Sequence, residues 1–232
     1  MQSFRRSAYG YILLLILSGF AFWPLYLSRL GTSIDRYTHW HAFIAVCWTG
    51  LLIVQPLLIP SYRPLHRKLG AISYGLAPAF AIASLLLAHA RFRAMDLARF
   101  QQEAANLFLP LSAVLLFTVS YVLAMYYRRN ISLHARFMIL TGLPMIDPVL
   151  GRVLAFYGPA FPNPLLIQAI TFGLTDLIIL ALLWRPQMST RFRFAYGVPA
   201  ALFPAAHAAW FTFAQAPAWV PFASWFRGLS LP

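Results

Sequence analysis

Charged residues are scarce in this chain: Asp, Glu, Lys and Arg make up 10% of its 232 residues, against about 25% in soluble domains. The acidic residues number only five, so hydrolysis by paired carboxylates has few candidate residues. A single cysteine, Cys47, excludes an intrachain disulfide and a zinc site built from several cysteines. The composition is therefore not that of an ordinary soluble domain or of a disulfide-rich one.

Several familiar catalytic motifs are also missing. The sequence contains no His-Glu-x-x-His metalloprotease motif, no His-x-x-x-His or His-x-x-His-His run of the diiron lipid oxidases, no Gly-x-Ser-x-Gly elbow and no phosphate-binding glycine loop. Nucleic-acid binding is not expected either, despite the net charge of +13. The 18 Lys and Arg residues lie in small groups between apolar runs rather than along one polar face, which is typical of membrane topology signals.

What the chain has instead is apolar residues, which account for 61% of it and give a mean hydropathy of +0.69. Seven apolar runs are each about 20 residues long, enough for a helix to cross a bilayer core of about 30 Å. Helices are expected because unpaired backbone groups are not tolerated in lipid, and the sequence lacks the alternating strands of a barrel. The sequence thus predicts an all-α polytopic membrane helical bundle of about seven transmembrane helices in a single domain (1–232), with spans at about Ala8 to Leu27, Trp40 to Ile59, Leu69 to Ala90, Ala105 to Tyr127, Leu133 to Ala155, Pro164 to Trp184 and Phe194 to Gln215.

The lysines and arginines also predict the orientation of the chain. Eleven of the 18 lie on the side of the amino terminus, so the positive-inside rule places that terminus in the cytoplasm and the carboxyl terminus outside. Residues 216–232 are too short and too interrupted by proline to span, and we expect them to lie in the membrane interface. The predicted location is a bacterial cytoplasmic (inner) membrane, where the lipid bilayer is the partner and basic cytoplasmic loops bind anionic lipids.

The second predicted span carries polar residues along one helical face, which is made of His41, Ala45, Trp48, Leu52 and Gln55. One interpretation is a line of groups that faces the interior of the bundle. The alternative is ordinary packing by Trp48 and a cap on a proline kink by Gln55.

His39 and His41 open this span and form a weak metal-binding pattern. Because they are two residues apart, their side chains point about 200° apart on a regular helix, so they share a site only if the helix begins between them. Asp35 lies just upstream, and a metal site of Asp35, His39 and His41 is one hypothesis. The alternative is a pair of interfacial histidines solvated by lipid headgroups.

His66 and His134 each open a predicted helix on the same face of the membrane, in the similar strings Leu-His-Arg-Lys-Leu and Leu-His-Ala-Arg-Phe. On the opposite face His41 opens the second span, His89 ends the third and His207 lies in the outer part of the seventh. Histidines at matched depth on both faces predict haem b bound by His66 with His134, and by His41 with His89. One argument against this prediction is distance. The 23 residues from His66 to His89 span roughly 34 Å, which places the rings near the two membrane surfaces rather than in the apolar core. The cations beside them can equally bind lipid phosphates.

Two carboxylates lie inside predicted spans, Asp147 in the fifth and Asp176 in the sixth. Ionisable groups in lipid are costly and are by default candidates for function or for buried pairing. Arg152 is a candidate partner for Asp147 because it is close in sequence. The alternative for Asp147 is a hydrogen bond to a backbone amide freed by a kink. Together with Gln55, these three residues form the predicted polar interior.

The segments from His39 to Gly70 and from His134 to Arg152 resemble a family of bacterial polytopic membrane proteins whose activity is uncharacterised. The resemblance rests on a His that opens a span, a Gln-Pro pair near its end, a Leu-His-Arg-x-Leu-Gly motif, a Leu-His-x-Arg-Phe/Leu-Met motif and a later Asp-Pro followed by Arg. The residues that match are His41, Gln55, Pro56, Leu65, His66, Arg67, Leu69, Gly70, Leu133, His134, Arg136, Phe137, Met138, Asp147, Pro148 and Arg152. In broad plan the chain is also similar to the b-type transmembrane cytochromes, through its paired histidines at helix ends.

Three functions follow as hypotheses. The first is a redox-active membrane protein that binds haem or metal through histidines at helix ends. The second is a small-molecule or lipid transporter or sensor, in which Asp147, Asp176 and Gln55 line a polar cavity. The third is a structural membrane protein without catalysis, whose basic loops bind anionic lipids. At the level of sequence the three remain alternatives.

Overall fold

The computed structural model describes residues 2–59, 62–159, 163–183 and 190–232. These residues form helices and their connections, with no strand among them, so the predicted all-α fold class is confirmed. Three short 3-10 helices cover Leu27–Arg29, Ala104–Leu107 and Leu143–Met145. The α-helices are α1 (Gln2–Phe22), α2 (Arg36–Leu58), α3 (Arg63–Arg93), α4 (Leu97–Glu103), α5 (Phe108–Tyr126), α6 (Ile131–Leu140), α7 (Ile146–Tyr157), α8 (Pro164–Leu183), α9 (Thr190–Phe211) and α10 (Trp219–Gly228).

Five stretches of the described residues are long and apolar enough to cross a membrane, as expected of a multi-pass membrane protein. Neither α1 nor α9 is among them, so the predicted number of seven spans is not confirmed. The sixth predicted span ended at Trp184, which lies outside the described residues. The five stretches are Arg36–Leu58, Arg63–Arg93, Leu97–Tyr126, Ile131–Tyr157 and Leu165–Leu183.

Consecutive helices run back and forth between two ends of the bundle. We call the end at which α1 begins the near end, and the end at which α1 finishes the far end. Helix α2 packs between α1 and α3, α3 packs against α5, and α5 packs against α6 and α9. Helix α7 packs against α1 and α8, and α8 packs against α9. His66 and His134 therefore lie at the near end, whereas His41 and His89 lie at the far end.

Short polar side chains fix where several helices begin. Asp35 precedes α2 and accepts hydrogen bonds from the backbone nitrogen and the hydroxyl of Thr38, at 2.9 and 2.6 Å. Partial burial of Asp35 favours a raised pKa, but the hydrogen bonds from Thr38 and the field of Arg91 outweigh it and lower the pKa below its usual value. Asp96 caps α4 in the same way, with its carboxylate 2.8 Å from the backbone nitrogen of Arg99. These caps satisfy backbone amides that have no partner within their own helices.

The interior between α2, α3 and α5 is filled by aromatic rings. Trp48 is fully buried and meets the edges of Phe117 and Tyr121 at centroid distances of 5.0 and 5.6 Å. The polar face of α2 points into this interior, because Trp48 and Gln55 are both buried. Gln55 also holds α2 to α3: its side-chain nitrogen donates to the carbonyl of His66 at 3.2 Å.

The fifth predicted span, from Leu133 to Ala155 with prolines that favour a kink, consists of two helices in the structure. Helix α6 ends at Leu140 and α7 begins at Ile146, with a turn of 3-10 helix between them. Pro144 favours the break because it cannot donate a backbone hydrogen bond. The ring of Tyr11 from α1 packs against the backbone at Gly142, and its hydroxyl donates to the carbonyl of Ile139 at 2.8 Å. As a result, the amino terminus of α7 lies inside the bundle.

The segment 216–232 includes a helix, α10, which lies across the far end. The indole nitrogen of Trp219 donates to the carbonyl of Ala104 at 2.8 Å. Arg227 donates to the carbonyls of Phe92 and Met95 at 3.1 and 2.7 Å. These contacts attach the segment to the end of α3 and to the 3-10 helix before α5; its location in the membrane interface stays a prediction.

Candidate functional site

Three ionisable side chains from three helices meet inside the bundle. His207 of α9 lies between Asp147 of α7 and Asp176 of α8. Its Nδ1 is 2.9 Å from Oδ1 of Asp176, and its Nε2 is 3.4 Å from Oδ2 of Asp147. The exposed fractions of these side chains are 9% for His207, 16% for Asp147 and 27% for Asp176. Both ring nitrogens of one histidine thus face a carboxylate in a largely buried place.

Neighbours from α8 hold this cluster in position. The hydroxyl of Thr175 donates to Oδ1 of Asp147 at 2.7 Å, which links α7 to α8. The ring of Phe172 stacks on His207 with centroids 4.0 Å apart and planes 9° apart. A phenyl face attracts positive charge, so this stacking favours the charged form of the imidazole and restricts its rotation. The geometry therefore suits a histidine that carries a proton on each ring nitrogen.

A count of donors and acceptors shows which protonation states satisfy both contacts of His207. A neutral imidazole has one N–H donor and one lone pair, whereas an ionised carboxylate only accepts. If both aspartates are ionised and His207 is neutral, one ring nitrogen points its lone pair at a carboxylate. Both contacts are satisfied only when His207 is an imidazolium or when one aspartate is protonated. In either of these protonation states, loss of the proton weakens one of the two contacts.

The broken helix adds a second electrostatic element. Asp147 lies in the first turn of α7, whose amino terminus carries a partial positive charge from the aligned peptide dipoles. Because the break lies within an apolar stretch, this partial charge is placed beside the carboxylate of Asp147 in the bundle. Interrupted helices that place their termini inside a membrane are a recurring way of building ion sites in transporters.

Arg152 is not the partner of Asp147, which corrects the pairing suggested by their closeness in sequence. The carboxylate of Asp147 is engaged by Thr175 and His207 instead. Arg152 donates from Nη1 to the carbonyl of Pro148 at 2.8 Å, and its guanidinium lies 4.9 Å from the ring centroid of Phe22. The alternative of a kink-freed backbone amide as partner for Asp147 is replaced by these side-chain contacts.

His66 and His134 are both held at the near end by a hydrogen bond from the ring to a backbone carbonyl. Nδ1 of His66 is 3.2 Å from the carbonyl of Gln55, and Nδ1 of His134 is 2.9 Å from the carbonyl of Ala124. A carbonyl only accepts, so Nδ1 carries the hydrogen in both rings and Nε2 carries the lone pair when the ring is neutral. Neither Nε2 has a hydrogen-bond partner among the described residues, and the two rings lie within electrostatic range of each other.

At the far end the predicted pairing of His41 with His89 is not formed. Nδ1 of His41 is 3.2 Å from the hydroxyl of Ser84. His89 lies five residues further along α3, so its side chain is rotated by about 140° and displaced by about 7.5 Å from that of Ser84. Its Nε2 is 2.9 Å from the carbonyl of Leu229. The two histidines therefore face different neighbours.

The metal site suggested for Asp35, His39 and His41 is not assembled either. Nδ1 of His39 is 2.9 Å from the hydroxyl of Tyr26, and Asp35 is occupied as the cap of α2. Within the ranges that the structure describes, no group of three or more His, Cys, Asp or Glu side chains is arranged to hold a metal ion. The other predicted polar residue, Gln55, contributes to the hairpin of α2 and α3 rather than to the cluster of His207.

The sequence placed Asp147 and Asp176 in the interior and His207 in the outer part of the seventh span, but it did not predict that His207 is the common partner of the two aspartates. One signal was available: Asp176 is the only ionisable residue in α8, and a buried carboxylate requires a partner from a neighbouring helix. Which helix supplies it depends on packing order, which the sequence does not state. Comparison of the chain with protein-family models, with curated proteins and with solved structures finds no match.

Proposed function

We propose that the protein is a proton-coupled membrane transporter, in which Asp147, His207 and Asp176 take up and release a proton. The observation that carries this proposal is the position of His207, with each ring nitrogen facing a carboxylate. Such a cluster contributes little as a structural device, since burying three ionisable groups is costly and apolar residues would pack the same space. Uptake and release of a proton, in contrast, require ionisable side chains, which explains why they are present despite the cost of burying them.

Proton release is coupled to movement because the contacts are unequal. The contact between His207 and Asp147 is 3.4 Å long, whereas that between His207 and Asp176 is 2.9 Å. When the proton leaves, the longer contact is lost first, and Asp147 is then held by Thr175 alone. Since Asp147 begins α7 directly after a helix break, α7 is free to shift against α9. This gives a two-state element that protonation biases.

The proposed topology adds α1 and α9 to the five apolar stretches and so has seven spans. Helix α1 packs against α2 and α7, and α9 packs against α5 and α8, which supports their inclusion in the bundle. We place the protein in a bacterial cytoplasmic membrane with the near end in the cytoplasm, where exposed residues at the start of α3, such as Arg67 and Lys68, meet anionic lipids. The lipid bilayer is the proposed partner.

Infrared difference spectra of the purified protein between acidic and alkaline buffer test the proposal. We expect a carboxyl C=O stretching band together with imidazole bands, because the cluster shares its proton between these groups. The His207→Gln variant should lose the imidazole bands and shift the carboxyl band. Asp96→Asn neutralises an exposed carboxylate outside the cluster, so it should leave the cluster bands unchanged. A difference spectrum of His207→Gln identical to that of the unchanged protein would contradict the proposal.

A second function is favoured by the histidines of the near end. Metal-ligating histidines commonly donate Nδ1–H to a backbone carbonyl, which fixes the ring and directs the Nε2 lone pair to the metal. His66 and His134 both show this arrangement, with carbonyls 11 and 10 residues earlier in the chain. The redox-active candidate is therefore one haem b bound between His66 and His134 at the near end, consistent with the resemblance to b-type cytochromes. His41 and His89 have no part in it.

The absorption spectrum of protein purified from cells supplied with haem tests this second function. Bis-histidine haem should give a Soret band and a reduced alpha band, and both His66→Ala and His134→Ala should abolish them because each removes an axial ligand. The His39→Ala variant, which changes a far-end histidine bonded only to Tyr26, serves as the matched control. Purified protein without these bands would rule the candidate out.

A further inference from the structure

Arg152 is a partly buried arginine, most of whose donors have no partner among the described residues. A guanidinium has five N–H groups, and within the described ranges Arg152 makes one hydrogen bond, from Nη1 to the carbonyl of Pro148 in its own helix. Its Nε is buried and has no partner among the residues that the structure describes. Nη2 likewise makes no hydrogen bond to a described residue. Nε and Nη2 together form the edge of a guanidinium that binds a carboxylate or a phosphate with two parallel hydrogen bonds.

One further cation, Arg91 of α3, lies within electrostatic range of Arg152. His41 of α2 lies within electrostatic range of both arginines. These three residues come from α7, α3 and α2 and lie towards the far end. The carboxylate of Asp35 is in electrostatic range of Arg91, but it is engaged as the cap of α2 and makes no ion pair with Arg91. Arg152 has no carboxylate within ion-pair distance in the described parts of the chain.

A partly buried guanidinium without an anionic partner is costly, because its charge is partly removed from water and its buried N–H groups lose their hydration. The ring of Phe22, 4.9 Å away, offsets only part of this cost. An oxyanion would satisfy the free bidentate edge and the buried Nε of Arg152, and it would be attracted by the second cation in range, Arg91. We propose that Arg152, Arg91 and His41 form a binding site for an oxyanion, either the phosphate of a lipid headgroup or a soluble phosphate.

This site is distinct from the proton-binding cluster and does not depend on it. It bears on the proposed function through α7, which carries Asp147 in its first turn and Arg152 five residues later. A shift of α7 on proton release moves Arg152 as well. Binding of the oxyanion and of the proton would then influence each other, as two ligands do when they act on one element.

Binding of two probes to the purified protein tests the site. In detergent micelles, thermal unfolding is measured with inorganic phosphate against chloride at equal ionic strength. In nanodiscs, retention of phosphatidylglycerol is measured against phosphatidylcholine. A phosphate-specific rise in stability identifies a soluble oxyanion, whereas selective retention of phosphatidylglycerol identifies a lipid headgroup. Either result supports the site, provided that it is lost in the variants below.

The Arg152→Gln variant should weaken binding of the effective probe by about tenfold or more, because it removes a charge-assisted bidentate contact. Arg91→Gln changes an exposed residue, so the variant should fold normally and still weaken binding. It therefore tests the site even if Arg152→Gln is unstable. The control is Arg29→Gln, which removes one exposed far-end charge outside the site. The proposal is overturned if neither probe binds specifically to the unchanged protein, or if Arg91→Gln binds as well as Arg29→Gln does.

Discussion

Replacing His207 by leucine is expected to destabilise the protein by about 3–5 kcal/mol, the usual effect of removing one partner from a buried ionic group. The variant leaves Asp147 and Asp176 in an apolar environment without the histidine that lies between them. For a chain of this size, such a loss lowers the melting temperature by about 6–20 °C. Thermal unfolding in detergent micelles, followed by circular dichroism, measures it.

A triple variant separates loss of charge pairing from loss of packing. In His207→Leu with Asp147→Asn and Asp176→Asn, no charge remains in the cluster, so most of the lost stability should return. His39→Leu is the matched single control, since His39 is bonded only to Tyr26 and should cost much less. If the triple variant is as unstable as His207→Leu, the loss comes from packing and the electrostatic account of the cluster is wrong.

The Gly142→Ala variant is the second change with a large expected effect. A Cβ at residue 142 would overlap Cε1 of Tyr11 and lie 2.7 Å from its hydroxyl oxygen, which is closer than atoms can pack. Tyr11 cannot move freely, because it is buried and its hydroxyl is bonded to Ile139. We expect a loss of about 1–3 kcal/mol from the clash and about 1 kcal/mol more if the hydrogen bond breaks.

Gly75→Ala is the natural comparison, because it makes the same chemical change in the middle of α3, where nothing lies within 4 Å of the added Cβ. That variant should be neutral or more stable by up to about 1 kcal/mol, since alanine favours helix. Both are measured by the same unfolding assay. Equal stability of the two variants would show that the packing of α1 against the break between α6 and α7 is loose.

Local features of the sequence were enough to predict the helical class and most of the long helices. Length and apolarity decide whether a stretch such as Arg63–Arg93 can cross a membrane, and both are properties of neighbouring residues. The break before α7 was only partly signalled by Pro144. It also depends on Tyr11, which approaches from a helix more than a hundred residues earlier in the chain.

The candidate site was harder to predict from the sequence than the helices were, because its geometry depends on which helices are neighbours. Asp147, Asp176 and Arg152 were each recognised as interior groups. Closeness in sequence suggested a pair of Asp147 with Arg152, whereas packing of α7 against α8 and α8 against α9 brings His207 to both carboxylates. Matched depth similarly suggested His41 with His89, but the rotation of α3 between Ser84 and His89 separates them.

The order of residues in the cluster has a consequence for biogenesis. A ribosome delivers Asp147 and Asp176 before His207, which follows Asp176 by 31 residues. While the nascent chain lacks α9, two acids enter the lipid without a base, and each must take up its own proton or stay near water. Arrival of α9 replaces that arrangement with the imidazole between them. A chain halted after α8 therefore differs in charge state from one that includes α9. Insertion of α9 brings the imidazole of His207 to the two carboxylates and so completes the cluster during assembly.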